Sequence, residues 1–155
     1  MKLHILAVGE RQPDWAEAAC HEYLKRMPRE ARVEIIPVKP EKRTGLPTDT
    51  VKAHEAARLL ERCPKGARLV ALDENGRQAT TRELAALMRD WQAEGRDVAL
   101  LIGGADGLDA ALLERAEMKL ALSRLTLPHA LARVLLAEQL YRAASLLAGH
   151  PYHRE

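Results

Sequence analysis

The stretch DVALLIGG (Asp97–Gly104) is apolar at every position from Val98 to Ile102. A strand with one face in water alternates apolar and polar residues, so an unbroken aliphatic run predicts a strand buried on both faces. Such strands lie inside sheets covered by helices on both sides, with parallel neighbours joined by helical crossovers. The remaining sequence supplies those parts. LHILAVG (Leu3–Gly9), VEIIPV (Val33–Val38), ARLVALD (Ala67–Asp73) and KLALS (Lys119–Ser123) read as four further strands. Helical patterns run between them, from about Pro13 to Met27, from the capping residues Thr48–Asp49–Thr50 to about Arg62, and from Thr80 or Thr81 to about Glu94. Glu83 stands at the capping-box position of the third helix. A short helix is expected near Asp109–Glu117, and a long last helix has Pro128 in its first turn and Gly149 at its C-cap. Glu74–Asn75–Gly76 reads as the turn that closes the third strand, and KPEKRTGLPTDT as the one long loop. The expectation is a single α/β domain over residues 1–155 with a largely parallel sheet.

Composition narrows what such a domain binds. Aromatic residues are 3% of the chain and Phe is absent, so the core is aliphatic and exposed base-stacking platforms are not expected. A net charge of +2 is too small for a basic coat, so a nucleic-acid partner would have to be met at a local site. Cys20 and Cys63 are isolated and lack zinc or redox spacing, so both read as packed apolar residues and no metal is expected. The apolar stretch before Glu10 is too short for a signal peptide, and no window approaches a membrane span. A soluble, cytoplasmic protein is expected.

Ligands of parallel sheets bind beyond the carboxyl ends of the strands. That rule selects Leu72–Asp73, Ile102–Gly107 and Leu122–Thr126. In IGGADG the paired glycines let a ligand approach the backbone, although spacing alone favours a tight turn and GxGxxG is absent. The last helix carries apolar residues on two sides. Leu131, Val134, Leu135 and Leu146 form one, and Leu136, Leu140, Ala143 and Leu147 the other, which predicts a second buried surface and a homodimer. Glu138 and Arg142 are spaced for an ion pair on the first side. Arg133, on a third side, is either a solvated charge or aimed at a phosphate. His129 opens the helix, where a cap or a packed ring competes with a functional role. The terminal GHPYHRE gathers titratable groups where chains are normally frayed.

LDENG, LLIGGADG, LSRLTLPHALARVLLAEQLYRA and the terminal HPYHRE together resemble the large-subunit rRNA pseudouridine N3-methyltransferases of the SPOUT superfamily, along the whole chain. Arg124 within LSRLTL and Ala105–Asp106 after IGG are minor departures. The resemblance implies a C-terminal trefoil knot that periodicity does not reveal. It also implies S-adenosylmethionine held by Leu72, Gly103, Leu122, Ser123, Arg124, Leu125, Thr126 and Leu127. The activity it implies is methylation of N3 of a pseudouridine in 23S rRNA, on the assembled 70S ribosome, with no metal. The last helix would make the homodimer contact and bring one subunit's tail to the other's cofactor. In that reading Arg154 stabilises the base anion or holds a phosphate, His153 or His129 assists proton loss, and Tyr152 orients the base. A nucleotide-binding α/β enzyme and a noncatalytic ribosome-assembly factor are the rival readings.

Overall fold

Leu3, Ile5 and Ala7 turn to one face of the first strand and Leu6 and Val8 to the other, and none of the five exceeds 3% exposure. Two-sided burial of this kind needs a helical layer on each face of the sheet. The computed structural model, which describes residues 1–154, has both layers. The order is β1 (Lys2–Val8), α1 (Asp14–Leu24), β2 (Arg32–Val38), α2 (Thr48–Arg62), β3 (Arg68–Gln78), α3 (Thr81–Glu94), β4 (Val98–Ile102), α4 (Ala110–Arg115), β5 (Met118–Ala121) and α5 (His129–Leu147). The five strands pair in parallel in the order β2-β1-β4-β3-β5. The all-apolar β4 is central, with Leu100 opposite Ile5 on one side and Val70 on the other.

One face packs Ile5, Val70 and Leu100 against Leu84, Met88 and Trp91 of α3 and Leu136, Leu140 and Ala143 of α5. The other packs Leu6, Ala71 and Leu101 against Ala56 and Leu59 of α2 and Leu112 of α4. The aliphatic core expected from the composition is thus divided between two layers. Cys20 is buried and Cys63 half-buried, and burial raises both thiols, Cys63 to about 11.

Three local expectations are corrected. Glu74–Asn75–Gly76 is not a turn that ends β3 but part of an interruption within it. Leu72 and Arg77 both partner Leu120 of β5, with residues 73–76 bulged between them. Gly76 is needed there, because a Cβ on it would lie 2.7 Å from the Lys119 carbonyl carbon. Thr48–Thr50 lie inside α2 and do not cap it; Pro47 holds the N-cap position without a side-chain hydrogen bond. α1 stops at Leu24, short of Met27.

The third helix does open on a capping box, in which Thr80 Oγ1 accepts from Glu83 N and Glu83 Oε1 accepts from Thr80 N. At the far end of α5, Gly149 adopts a φ of +71°, and His150 N donates to Ser145 O while Gly149 N donates to Leu146 O. This Schellman pair turns the chain back towards the helix it has just left.

Candidate active site

The carboxyl ends of β3, β4 and β5 open into one cleft of about 510 Å³. Of the eight residues expected at the cofactor, all but Arg124 line it. Arg124 is exposed and is not part of the cleft lining. Each of the three loops is fixed by its own hydrogen bonds. Asn75 N donates to Asp73 Oδ2 at 3.2 Å in the β3 bulge, and Gly107 N donates to Gly104 O at 3.0 Å after β4. Ser123 Oγ accepts from Leu125 N at 2.9 Å after β5. Thr126 Oγ1 donates to Glu74 Oε2 at 3.2 Å and so ties the third loop to the first.

Gly103 has a reason to be glycine that spacing could not reveal. A Cβ there would lie 2.7 to 2.9 Å from backbone atoms of Gly107 and Leu108, so the loop after β4 closes on Gly103 itself. The tight turn and the ligand surface are the same feature, since the backbone on the other side of that turn lines the cleft.

The cleft has an apolar part built from Leu72, Ile102, Leu122 and Leu127, and three carboxylates, Asp73, Glu74 and Asp106. Its size is that of a small-molecule site. A purine fits the apolar wall, and the carboxylates suit a ligand that carries a sulfonium and an ammonium. The residues present therefore fit S-adenosylmethionine. Asp73 and Asp106 lie in the segments that the strand-end rule selects, whereas Glu74 reads as a turn residue in the sequence and joins the lining only through the β3 bulge.

A second, smaller cleft of about 270 Å³ adjoins the first. The two share Gly104, Ala105, Asp106 and His129, so His129 stands on a common wall at the start of α5. The smaller cleft runs from the residues after β1 to α2, and has Arg11 and Arg43 at its rim. Arg43 is paired with Asp106. At its base is Glu55, only 6% exposed. Glu55 Oε2 accepts from Glu41 N at 3.1 Å, and a Cβ on Gly104 would come 2.8 Å from Oε1.

Arg133, expected at a surface or on a phosphate, is instead 4% exposed and donates to the carbonyls of Gly9 at 2.7 Å and Val8 at 3.3 Å. It anchors α5 to the end of β1. Leu136, Leu140 and Ala143 are fully buried against the sheet, while Leu147 at the end of the same side is exposed. On the other side Leu131 and Leu135 face outward, Val134 is half-buried and Leu146 packs partly on the core.

The tail residues are not at either cleft within the protomer. Tyr152 packs against Tyr141 with ring centroids 4.7 Å apart and the rings tilted by 58°, and the Arg142 guanidinium lies 4.7 Å over the Tyr152 ring. Glu138 Oε1 accepts from Tyr152 Oη at 3.1 Å and pairs with Arg142 at 2.6 Å, as the helical spacing predicted. His153 Nδ1 lies 3.5 Å from Arg142, and Arg154 is exposed. Tyr141 follows His129 by twelve residues of helix, a rise of about 18 Å at ~1.5 Å per residue. His129 therefore joins the clefts, and Tyr152, His153 and Arg154 gather at the opposite end of α5. Among the described residues no group of three or more His, Cys, Asp or Glu could hold a metal ion, and no helix is long and apolar enough to cross a membrane.

Residues 1–153 match the sequence profile described as Predicted SPOUT methyltransferase. A protein of Methylibium petroleiphilum named ribosomal RNA large subunit methyltransferase H is 58% identical over all of both chains. A protein of the same name from Paraburkholderia xenovorans is 57% identical over 99% of each chain. Among solved structures, a methylase family protein from Neisseria gonorrhoeae superposes with a TM-score of 0.56 at 16% identity, over 99% of this chain and 86% of that one. A Legionella pneumophila methyltransferase solved with bound S-adenosylmethionine gives a TM-score of 0.51 at 12% identity, over 93% of this chain and 66% of that one. At those identities the two structures speak for the fold alone.

Proposed function

The chain belongs to the SPOUT methyltransferase family and uses S-adenosylmethionine, and on that premise we propose that it methylates N3 of a pseudouridine in 23S rRNA on the assembled 70S ribosome. The observation that carries the reading is end-to-end similarity to relatives named ribosomal RNA large subunit methyltransferase H, 54% to 58% identical. The cleft at the ends of β3, β4 and β5 would hold the cofactor, and the loops around it would carry the family's knot. Bound there, S-adenosylmethionine supplies an electrophilic methyl group.

The remaining task is positioning and proton management. N3 of the base must lie in line with that methyl and lose its proton. His129 stands on the wall shared by the two clefts and is suited to accept it. Tyr152, His153 and Arg154 line neither cleft of their own protomer. In a homodimer joined through the outward apolar side of α5, they would reach the partner's cleft instead. There Arg154 would stabilise the base anion or hold a phosphate, Tyr152 would orient the base, and His153 would share the proton-transfer role. The exposed Leu131 and Leu135 support that contact.

A small dimer with net charge +2 has few phosphate contacts to offer and no aromatic platform. Selection of one base then needs a preformed RNA and protein surface, at the subunit interface of the ribosome. The test is methyl transfer from labelled S-adenosylmethionine to 70S ribosomes, isolated large subunits and naked rRNA from cells lacking the enzyme, with nucleoside mass spectrometry of the product. Intact ribosomes should be labelled at N3 of one pseudouridine, subunits weakly and naked rRNA hardly at all. Equal labelling of naked rRNA would refute the ribosomal requirement.

A further inference from the structure

We infer that the smaller cleft seats the target base and that Glu55 Oε1 reads its identity, by accepting a hydrogen bond from the N1–H that pseudouridine has and uridine lacks. The inference rests on the methylation reading above and adds to it the residue that selects the base. In both nucleosides N3 lies between two carbonyls, so the reacting atom alone distinguishes them poorly. In uridine N1 is bonded to the ribose; in pseudouridine the ribose is on carbon and N1 carries a proton. A site that tells them apart needs an acceptor facing that proton.

Of the other side-chain acceptors around the smaller cleft, His129 faces the cofactor cleft as well and is assigned to the proton on N3, and the rest are engaged or shut off. Glu41 is held by His54 at 2.6 Å and by Arg58 at 3.0 Å. Asp106 is paired with Arg43. Gln12 Oε1 is sealed from solvent and has no partner, so a ligand cannot reach it. Glu55 differs from both carboxylates in having no cation paired with it among the described residues. Its Oε2 is fixed by Glu41 N, which orients the carboxylate, and its Oε1 accepts no hydrogen bond among the described residues. Unlike Gln12 Oε1, this oxygen is not sealed from solvent, so a donor entering the cleft can reach it. Gly104 keeps the space in front of that oxygen clear, since a Cβ there would approach Oε1 to 2.8 Å. The common wall of Gly104, Asp106 and His129 then sets the base beside the cofactor cleft, and Arg11 at the rim suits a flanking phosphate.

Glu55→Gln is the decisive variant because it is isosteric. The amide oxygen must take over the bond from Glu41 N, which leaves the NH₂ where Oε1 was, a donor facing a donor. Initial rates are measured on 70S ribosomes with pseudouridine at the target, and on ribosomes with uridine there, from cells lacking the pseudouridine synthase. A hydrogen bond to a charged group corresponds to roughly 10- to 100-fold in rate. The wild-type protein should prefer pseudouridine ribosomes by at least that factor. The variant should lose most of the preference while binding S-adenosylmethionine unchanged by calorimetry. Glu55→Leu, which also lacks the acceptor, should lose it as well and decides the matter if the Gln variant does not fold. A wild-type preference that survives in the variant that binds the cofactor overturns the role of Glu55 and leaves the methylation reading intact. A wild-type enzyme that uses uridine equally well overturns the base-reading role outright. A wild-type protein that labels neither ribosome refutes the methylation reading itself.

Discussion

The Tyr152 hydroxyl donates to Glu138 Oε1 at 3.1 Å, and the same carboxylate oxygen pairs with Arg142, whose guanidinium covers the Tyr152 ring. The chain end is thereby docked on the helix that precedes it, after the reversal at Gly149. A docked tail presents its polar groups in a fixed place, which a frayed one does not.

This docking has a pH signature. Burial, aided by the neighbouring Glu138 carboxylate, pushes the Tyr152 phenol up to about 12. An unfolded tyrosine titrates near ~10. The raised folded value means that the stabilisation is fully present below pH ~10 and is lost as pH rises towards about 12. Tyr152→Phe cannot ionise there. Thermal melts from neutral pH to pH ~11 should show the Tm of the wild type falling towards, or below, that of the Phe variant as pH rises. Parallel curves would show that the phenol does not sit in the folded environment described.

Gly103→Ala should loosen the cofactor cleft through the loop and not through direct obstruction. The added Cβ would meet backbone of Gly107 and Leu108 at 2.7 to 2.9 Å, and backbone cannot swing aside. Overpacking of this kind costs about 1–3 kcal/mol. A lower Tm together with weaker S-adenosylmethionine binding by calorimetry is expected. An unchanged Tm with lost binding would instead mean that the methyl group protrudes into the cleft.

The outward side of α5 predicts the oligomeric state. Leu131 and Leu135 are 40% and 37% exposed in the single chain. Light scattering should report a dimer at micromolar concentration, and Leu131→Glu with Leu135→Glu should give a folded monomer that still binds cofactor but does not methylate. A wild-type monomer would remove the shared active site altogether.

Removing residues 152–155 should abolish methylation and leave dimerisation and cofactor binding nearly unchanged, because the cleft loops lie at the other end of α5. Mixed dimers of tail-deleted and Gly103→Ala subunits should regain activity at one of their two sites. No recovery in such mixtures would argue that each tail serves its own subunit.

Much of the fold was legible because it is written in aliphatic runs. The unbroken Val98–Ile102 stretch announced a central strand, and β4 is central. Thr80 and Glu83 announced their capping box. The segment Glu74–Gly76 misled, because a bulge inside a paired strand and a turn after one use the same residues; only the second pairing of Leu120 with Arg77 separates them. Arg133 misled for another reason. A helical wheel gives the direction of a side chain but not what lies beneath it, and here the carbonyls of Val8 and Gly9 wait at the end of β1. For the cofactor cleft, strand ends and resemblance named the loops, and Arg124 alone fell outside the lining. Glu55 gave no signal at all, since a glutamate within a helix reads as solvated until a neighbouring glycine is seen to make room for it.

The wall common to the two clefts, Gly104 to Asp106 with His129, has a thermodynamic consequence. Whichever ligand arrives first immobilises groups that the other also touches, so the second arrives at a surface already ordered. If the smaller cleft takes the target base as proposed, linkage requires the help to be mutual, the methyl donor tightening the ribosome by the same factor as the ribosome tightens the methyl donor. Arg133 extends the shared body by holding Gly9, beside the smaller cleft, to the first turns of α5. A non-transferring analogue of the donor should therefore sharpen ribosome binding in sedimentation assays. The same linkage holds after transfer, so that departure of either product loosens the grip on the other.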